Sequence, residues 1–290
     1  MSPTPPPLSP ASSPASPASP ASPGARDAVV ARLRAAGCVF AEDEADLLVA
    51  QASSPAELEA MTTRRVDGLP LEHVLGWAEF CGLRVHVDHG VFVPRPRTEF
   101  LVQQALLTEA ATRQDLKDLV VVDLCCGSGA LGAAVSDRLR TSGRSVSLHA
   151  ADIDPAAVEC ARRNIAPYGG HAYAGDLFDA LPAALRGRID VLLANVPYVP
   201  TEDVALLPAE ARDYEALVAL DGGADGLAVL RRAVAGAAHW LAPGGVVLVE
   251  TSERQEDAAM SAFAASRLTA RVATSEEYWA TVVIGERPAA

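Results

Sequence analysis

The chain predicts a doubly wound α/β fold, and three observations carry that prediction. Strand-like apolar runs alternate with helical patterns from residue 100 onward. The run Leu119–Leu124 is apolar and β-branched, as expected of a parallel strand buried on both faces. Its carboxylate Asp123 precedes a turn, Cys125-Cys-Gly-Ser-Gly129, after which a helical pattern resumes. Strands are expected at 119–124, 146–151, 171–174, 189–194 and 245–250, with an antiparallel closing pair at 267–273 and 279–284. The turn Ala242-Pro-Gly-Gly245 separates a helix at 226–241 from the fifth of these strands.

Three segments precede this sheet domain, which is placed at 98–290. Residues 1–24 are almost entirely Pro, Ala and Ser; prolines forbid a helix and nothing there repays the entropy of ordering, so a disordered tail is expected. Residues 25–76 carry helical apolar spacing over Ala25–Ala36, Asp43–Ala52 and Pro55–Val66, with Leu47, Leu48, Leu58 and Met61 as core candidates. Ser54 before Pro55 supplies an N-cap and a favoured first helical position. This small helical domain is either packing support or a docking surface for a macromolecular substrate. Residues 77–97 alternate (Phe80, Leu83, Val85, Val87, then Val91 and Val93) and predict a β-hairpin turning at Asp88-His-Gly90. In Val93-Pro-Arg-Pro-Arg-Thr-Glu99 two prolines stiffen the link and Thr98 is a candidate helix cap. Arg95 and Arg97 read first as solvated linker charges, and second as groups reaching an acidic substrate or the carboxylate of a bound cofactor.

With 290 residues, half of them hydrophobic, the chain can bury a substantial core. Its five cysteines, Cys38, Cys81, Cys125, Cys126 and Cys160, show no zinc spacing and fit a reduced, cytoplasmic compartment. No metal is expected. No run reaches transmembrane length and no secretory leader pattern opens the chain, so no membrane association is expected. The formal net charge of −13 opposes broad nucleic-acid binding, which needs clustered Lys and Arg to neutralise phosphates.

Two later stretches give the glycine turn a meaning. Ala150-Ala-Asp-Ile-Asp-Pro-Ala-Ala-Val158 puts Asp152 after a second strand, roughly 20 residues past the turn, where an acid can accept ribose hydroxyls. Asp154, just before Pro155, reads as a helix cap. Ile189-Asp-Val-Leu-Leu-Ala-Asn-Val-Pro-Tyr198 delivers Asn195, Val196, Pro197 and Tyr198 at the carboxyl end of a further strand. Carboxyl ends of an open α/β sheet share one crevice. Together the three stretches resemble the class I S-adenosylmethionine-dependent methyltransferases that methylate amino groups on nitrogen, with a seven-stranded Rossmann-like sheet.

That resemblance assigns S-adenosyl-L-methionine as cofactor. Asp123 then suits its amino-acid end, Asp152 its ribose hydroxyls, and Cys125, Gly127 and Gly129 the turn around it. Asp176, in Gly175-Asp-Leu-Phe178, is either a partner of the adenine amine or a loop N-cap, and Leu177 can cover the ring. An amide nitrogen is a poor nucleophile because its lone pair is delocalised into the carbonyl. Asn195 Oδ1 and the Val196 carbonyl can accept both N–H bonds of a planar NH₂ group, which orients it and stabilises the charge it develops. Tyr198 offers a face for it to lie against. Asn195 therefore belongs to both the catalytic and the cofactor-binding sets.

The resemblance narrows over Leu69-Pro-Leu-Glu-His-Val-Leu-Gly76, Ala78-Glu-Phe-Cys-Gly82, Val93–Glu99, the glycine turn, Asn195–Tyr198 and Ala219-Leu-Asp-Gly-Gly-Ala-Asp-Gly-Leu227. These are similar to the protein N5-glutamine methyltransferases of the HemK/PrmC type across residues 26–286. Members methylate the glutamine of the Gly-Gly-Gln motif of peptide-chain release factors, and a sister branch methylates a ribosomal protein. The resemblance therefore implies a release factor as partner, methylated on a glutamine amide and met in part by the helical domain. Val196 stands where the family usually has Pro, and Cys125 where it usually has Gly. The same Asn-x-Pro-Tyr pattern serves DNA or RNA adenine N6-methyltransferases, which the acidic balance opposes. The remaining alternative is a non-catalytic cofactor-binding partner of the translation machinery.

Overall fold

A computed structural model of the chain describes residues 23–108 and 118–289. The expected tail lies outside the described residues up to residue 22, while Pro23 and Gly24 open the first helix, Pro23–Ala35. The chain divides into two compact units, one ending at Asp67 and one beginning at Gly68.

In the first unit the helices Pro23–Ala35, Ala41–Gln51 and Pro55–Val66 follow the apolar periodicity. Val29, Leu33, Ala45, Leu48, Leu58 and Met61 are buried, whereas Leu47 is 37% exposed and is not part of that core. Ser54 caps the third helix, its Oγ accepting the Glu57 N–H at 3.2 Å, with Pro55 as the first helical residue. One buried ion pair, Glu44 with Arg65 at 2.6 Å, ties the second helix to the third.

The second unit opens with the short helix Leu71–Leu75 and a two-stranded hairpin, β1 (Trp77–Phe80) and β2 (Leu83–His86). The hairpin does not turn at Asp88–Gly90 as the alternation suggested. It turns at Cys81-Gly82, where φ is +52° and +76°. Two consecutive positive φ values make the two-residue turn whose twist matches antiparallel strands, and Val91 and Val93 continue as irregular chain buried against the sheet domain.

The main sheet has seven strands: β3 (Asp118–Leu124), β4 (Ser145–Asp152), β5 (His171–Ala174), β6 (Ile189–Ala194), β7 (Leu241–Thr251), β8 (Thr269–Ser275) and β9 (Ala280–Glu286). Their spatial order is β5-β4-β3-β6-β7-β9-β8, parallel up to β7, with β9 antiparallel to both of its neighbours. β3 sends its chain to β4 on one side, and β6 lies on the other, so the strand order reverses beside β3 and opens a crevice at the carboxyl ends. The expected Ala242–Gly245 turn is absorbed into β7. Leu241 pairs with Ile189 and Val246 with Val191, so the residues between loop out of register.

Helices cover both faces. Leu119, Val121, Leu193 and Leu248 pack on one side with the helices Glu99–Leu106, Ala130–Thr141 and Pro155–Ile165; Val122, Leu192, Val247 and Val283 pack on the other with Ala228–Trp240 and Glu256–Ala265. Asp154 caps Pro155–Ile165 as expected, its carboxylate accepting the Ala156 N–H at 2.9 Å. Gly129 is needed for close packing: a Cβ there would meet the Ala161 Cβ at 3.0 Å, where Ala130–Thr141 and Pro155–Ile165 approach each other. No helix among the described residues is long and apolar enough to cross a membrane, and none of the five cysteines is in a disulfide.

Candidate active site

The carboxyl ends of β3, β4 and β6 border a cavity of about 680 Å³. Cys125, Gly127, Asp152, Asp176, Leu177, Asn195, Val196, Pro197 and Tyr198 all line it. Residues as far apart in sequence as Cys125 and Tyr198 thus meet because parallel strands deliver their loops to one edge. Two of the expected residues stand behind the wall. Asp123 is fully buried, its Oδ2 accepting the Gly132 N–H at 2.8 Å, and Gly129 starts the helix that follows.

Asp152 is the hub of the cavity wall at the end of β4. Its Oδ2 accepts the Gly127 N–H and its Oδ1 the Asp154 N–H, each at 2.9 Å. Burial pushes its carboxyl above the usual range, and those backbone donors pull back against it. Cys125 adopts φ +56° and Leu177 φ +48°; a side chain in this left-handed region costs on the order of 1 kcal/mol. The Cys125 backbone conformation is one that glycine takes freely, a physical reason for glycine at this place in the resembling family. Burial, and then the nearby carboxylates, raise the Cys125 thiol, so it stays protonated. Asp176 makes no cap; its Oδ2 meets Arg232 Nη2 at 2.6 Å across the cavity rim.

At the end of β6, Asn195 Oδ1 is buried and has no partner among the described residues. A buried carbonyl oxygen without a donor is costly, and it is the kind of atom a bound N–H satisfies. Behind the turn, Gln255 Nε2 donates to the carbonyls of Tyr198 and Asp225 at 2.9 and 3.1 Å. Ser252-x-x-Gln255 is visible in the sequence as a capping box, and the structure has that box; nothing local reveals that its amide reaches Tyr198.

Sequence reasoning missed several wall residues. Thr98, expected to cap a helix, makes no cap; its hydroxyl is buried, lacks a partner among the described residues, and belongs to a residue lining the cavity. Arg95 and Arg97 are not solvated linker charges. Arg95 pairs with the buried Glu215 at 2.5 Å and Arg97 with the buried Glu250 at 2.9 Å, and both line the cavity. Their alternation with prolines in Pro94-Arg-Pro-Arg97 was the available signal, but their carboxylate partners lie more than a hundred residues away.

Asp123 gives a pH signature. Burial, against the Gly132 N–H and together with Asp152, pushes its carboxyl up to about 8. An unfolded Asp titrates near about 4, so the folded protein holds the proton more tightly. This contribution to stability is full below pH ~4 and is lost as pH rises, completely once it has passed through about 8. The slope from this group alone is about 1.4 kcal/mol per pH unit inside that window. Urea unfolding across pH 5–9 is expected to show declining stability, and Asp123→Asn, which is neutral throughout, is expected to flatten it. Parallel profiles for the two proteins would remove Asp123 as the cause.

A sheet with this strand order, its crevice beside β3 and the Asn-x-Pro-Tyr turn at its edge together define a Rossmann-like methyltransferase, and residues 82–211 match the methyltransferase small domain family. The release factor glutamine methyltransferase of Mycolicibacterium smegmatis is 36% identical over 257 residues, covering 82% of this chain and 87% of that protein. That of Bifidobacterium longum is 32% identical over 280 residues, covering 86% and 92%. The chain belongs to the release factor glutamine methyltransferase family. Among solved structures, the T. thermophilus 16S rRNA N2 G1207 methyltransferase, in complex with AdoMet and guanosine, is 21% identical with a TM-score of 0.49, covering 73% of this chain and 49% of that one.

Proposed function

We propose that the protein transfers a methyl group from S-adenosyl-L-methionine to the side-chain amide nitrogen of a glutamine in a peptide-chain release factor, in the cytoplasm. The observation that carries the reading is the buried, unpartnered Asn195 Oδ1 at the end of β6, on a residue that lines the cavity. When bound, S-adenosylmethionine supplies an electrophilic methyl on a cationic sulfonium. The residues present suit it: Asp152 keeps acceptor lone pairs beyond its two backbone bonds, Asp176 and Leu177 line the same cavity, and Gly127 lets the chain pass close. Asp123 and Gly129 act from behind, holding the turn. Asn195 Oδ1 takes one N–H of the acceptor amide and the Val196 carbonyl the other, while Tyr198 and Pro197 border the plane in which it lies. Holding both N–H bonds turns the amide lone pair toward the methyl and offsets the charge growing on nitrogen. The helical domain meets the protein substrate.

Asp152→Ala is expected to weaken S-adenosylmethionine binding at least about 100-fold, the loss of two hydrogen bonds to a charged acceptor worth roughly 1.5–3 kcal/mol each. It also frees the Gly127 and Asp154 N–H groups; Asp152→Asn keeps one acceptor oxygen for one of them and sets an NH₂ donor against the other, so it is not expected to restore the parent's affinity. Calorimetry returning the parent's affinity for Asp152→Ala would take this residue out of the cofactor site. For the reaction itself, purified release factor is incubated with enzyme and cofactor and mapped by mass spectrometry. One added methyl on the Gly-Gly-Gln glutamine supports the proposal; an unmodified glutamine there, with a methylated glutamine elsewhere in a cell extract, keeps the chemistry and discards the partner.

A further inference from the structure

Arg97 occupies an unusual place for a residue 41% exposed in its side chain. Its Nε lies 2.9 Å from Glu250 Oε1, at the carboxyl end of β7, and Glu250 is 2% exposed. A carboxylate buried to that degree is costly unless a cation stands beside it, so the ion pair pins the head of Arg97. The other Glu250 oxygen has no hydrogen-bond partner among the described residues, which leaves Arg97 as the group that compensates this charge. Pro96 restricts the backbone from which Arg97 departs. The guanidinium carbon stands 5.2 Å from the centroid of the Tyr198 ring, and both residues line the cavity. A guanidinium within about 6 Å of an aromatic centroid is attracted to the ring face.

We propose that Arg97, anchored by Glu250, is a positioning residue that fixes the tilt of the Tyr198 ring. The inference rests on the reading of Tyr198 as the surface bordering the acceptor amide. Backbone bonds already fix the Tyr198 main chain through Gln255, but they do not set χ1 and χ2, and no side-chain hydrogen bond of Tyr198 to another described residue restrains the ring. Arg97 supplies that restraint from the β7 side. A ring held at one tilt presents one plane to the acceptor, and orientation of this kind acts on the transfer step more than on capture of the protein.

The test has two arms. In the first, 3-fluorotyrosine is incorporated at the five tyrosines, and the Tyr198 fluorine signal is assigned by its loss in Tyr198→Phe, with no cofactor present. Arg97→Gln is expected to shift and broaden that signal and leave the other four in place, and Arg97→Lys to restore it in part. Because Arg97→Gln strands the Glu250 charge, the double variant Arg97→Gln/Glu250→Gln removes both members and is expected to show the same Tyr198 change in a stably folded protein. An unchanged Tyr198 signal in both variants overturns the proposal. In the second arm, methyl transfer to release factor is measured. Arg97→Gln is expected to lower kcat about tenfold with KM for the factor and affinity for the cofactor little changed, since a ring out of plane costs orientation. Adding Arg97→Gln to Tyr198→Leu should then cost nothing further, whereas additive losses overturn the proposal. A wild-type enzyme inactive on release factor sinks the functional reading alone, and the fluorine arm still decides the role of Arg97.

Discussion

Asn195→Ala is expected to lower the rate of methyl transfer about 10²–10³-fold, the scale on which one preorganised partner of a developing charge acts. Affinity for S-adenosylmethionine is expected to stay within about twofold, because the interaction lost is made chiefly with the acceptor in the transition state. The parent residue keeps a carbonyl oxygen buried at the cavity with no donor among the described residues. Such an atom lowers stability while it waits, and the variant is therefore expected to be as stable as the parent or slightly more so. That opposite movement of stability and rate distinguishes a functional orphan from a structural amide. Single-turnover kinetics, calorimetric titration and urea unfolding on the same preparation measure all three quantities. A rate within a few-fold of the parent would end the amide-clamp mechanism, and a large drop in cofactor affinity would make the cofactor, and not the acceptor amide, the main partner of Asn195.

Gly226→Ala carries the largest expected effect on the fold. A Cβ at this position would lie 2.2 Å from the Tyr198 carbonyl oxygen and 2.5 Å from Gln255 Nε2, and φ is +74°. Gly222 is equally enclosed, its Cβ position 2.7 Å from the Pro197 carbonyl oxygen and 2.5 Å from that of Gly226. The segment Asp221–Leu227 thus forms a backing for Pro197 and Tyr198. Its pairing continues through the Val199 N–H on the Leu220 carbonyl, the Gly222 N–H on that of Val199 and the Thr201 N–H on that of Gly223. Backbone cannot yield as a side-chain tip can, so the loss is expected to exceed about 3 kcal/mol, the range of severe overpacking. Gly143→Ala is the control: it has φ +84° with nothing near its Cβ position, and should show only the left-handed backbone cost of about 1–2 kcal/mol. Equal urea midpoints for the two variants would mean that strain, and no clash with the Tyr198 turn, explains Gly226. If Gly226→Ala retains some fold, its methyl transfer should fall more than its cofactor affinity, because the displaced residues are Pro197 and Tyr198.

The sequence alone determined the sheet, its strands to within a few residues, and the three turns that border the cavity. The reason is local: apolar β-branched runs, a glycine turn and an Asn-x-Pro-Tyr turn each act through neighbours in the chain. Ser54 and Asp154 were legible as caps for the same reason, since a cap bonds to a residue two or three positions on. The motif Asp221–Leu227 was legible as a resemblance but not as a mechanism, because the atoms its glycines avoid belong to Tyr198 and Gln255. Only tertiary structure could decide the roles of Arg95 and Arg97, whose partners Glu215 and Glu250 come from distant parts of the chain. It also moved the hairpin turn to Cys81-Gly82, withdrew the Thr98 cap, set Asp123 behind the wall, and exposed Asn195 Oδ1 as a buried oxygen without a donor. Each of those depends on burial and on pairing across strands. A side chain's charge or lone pair is written in the sequence, but what satisfies it is chosen by whichever distant backbone the fold brings within hydrogen-bond reach.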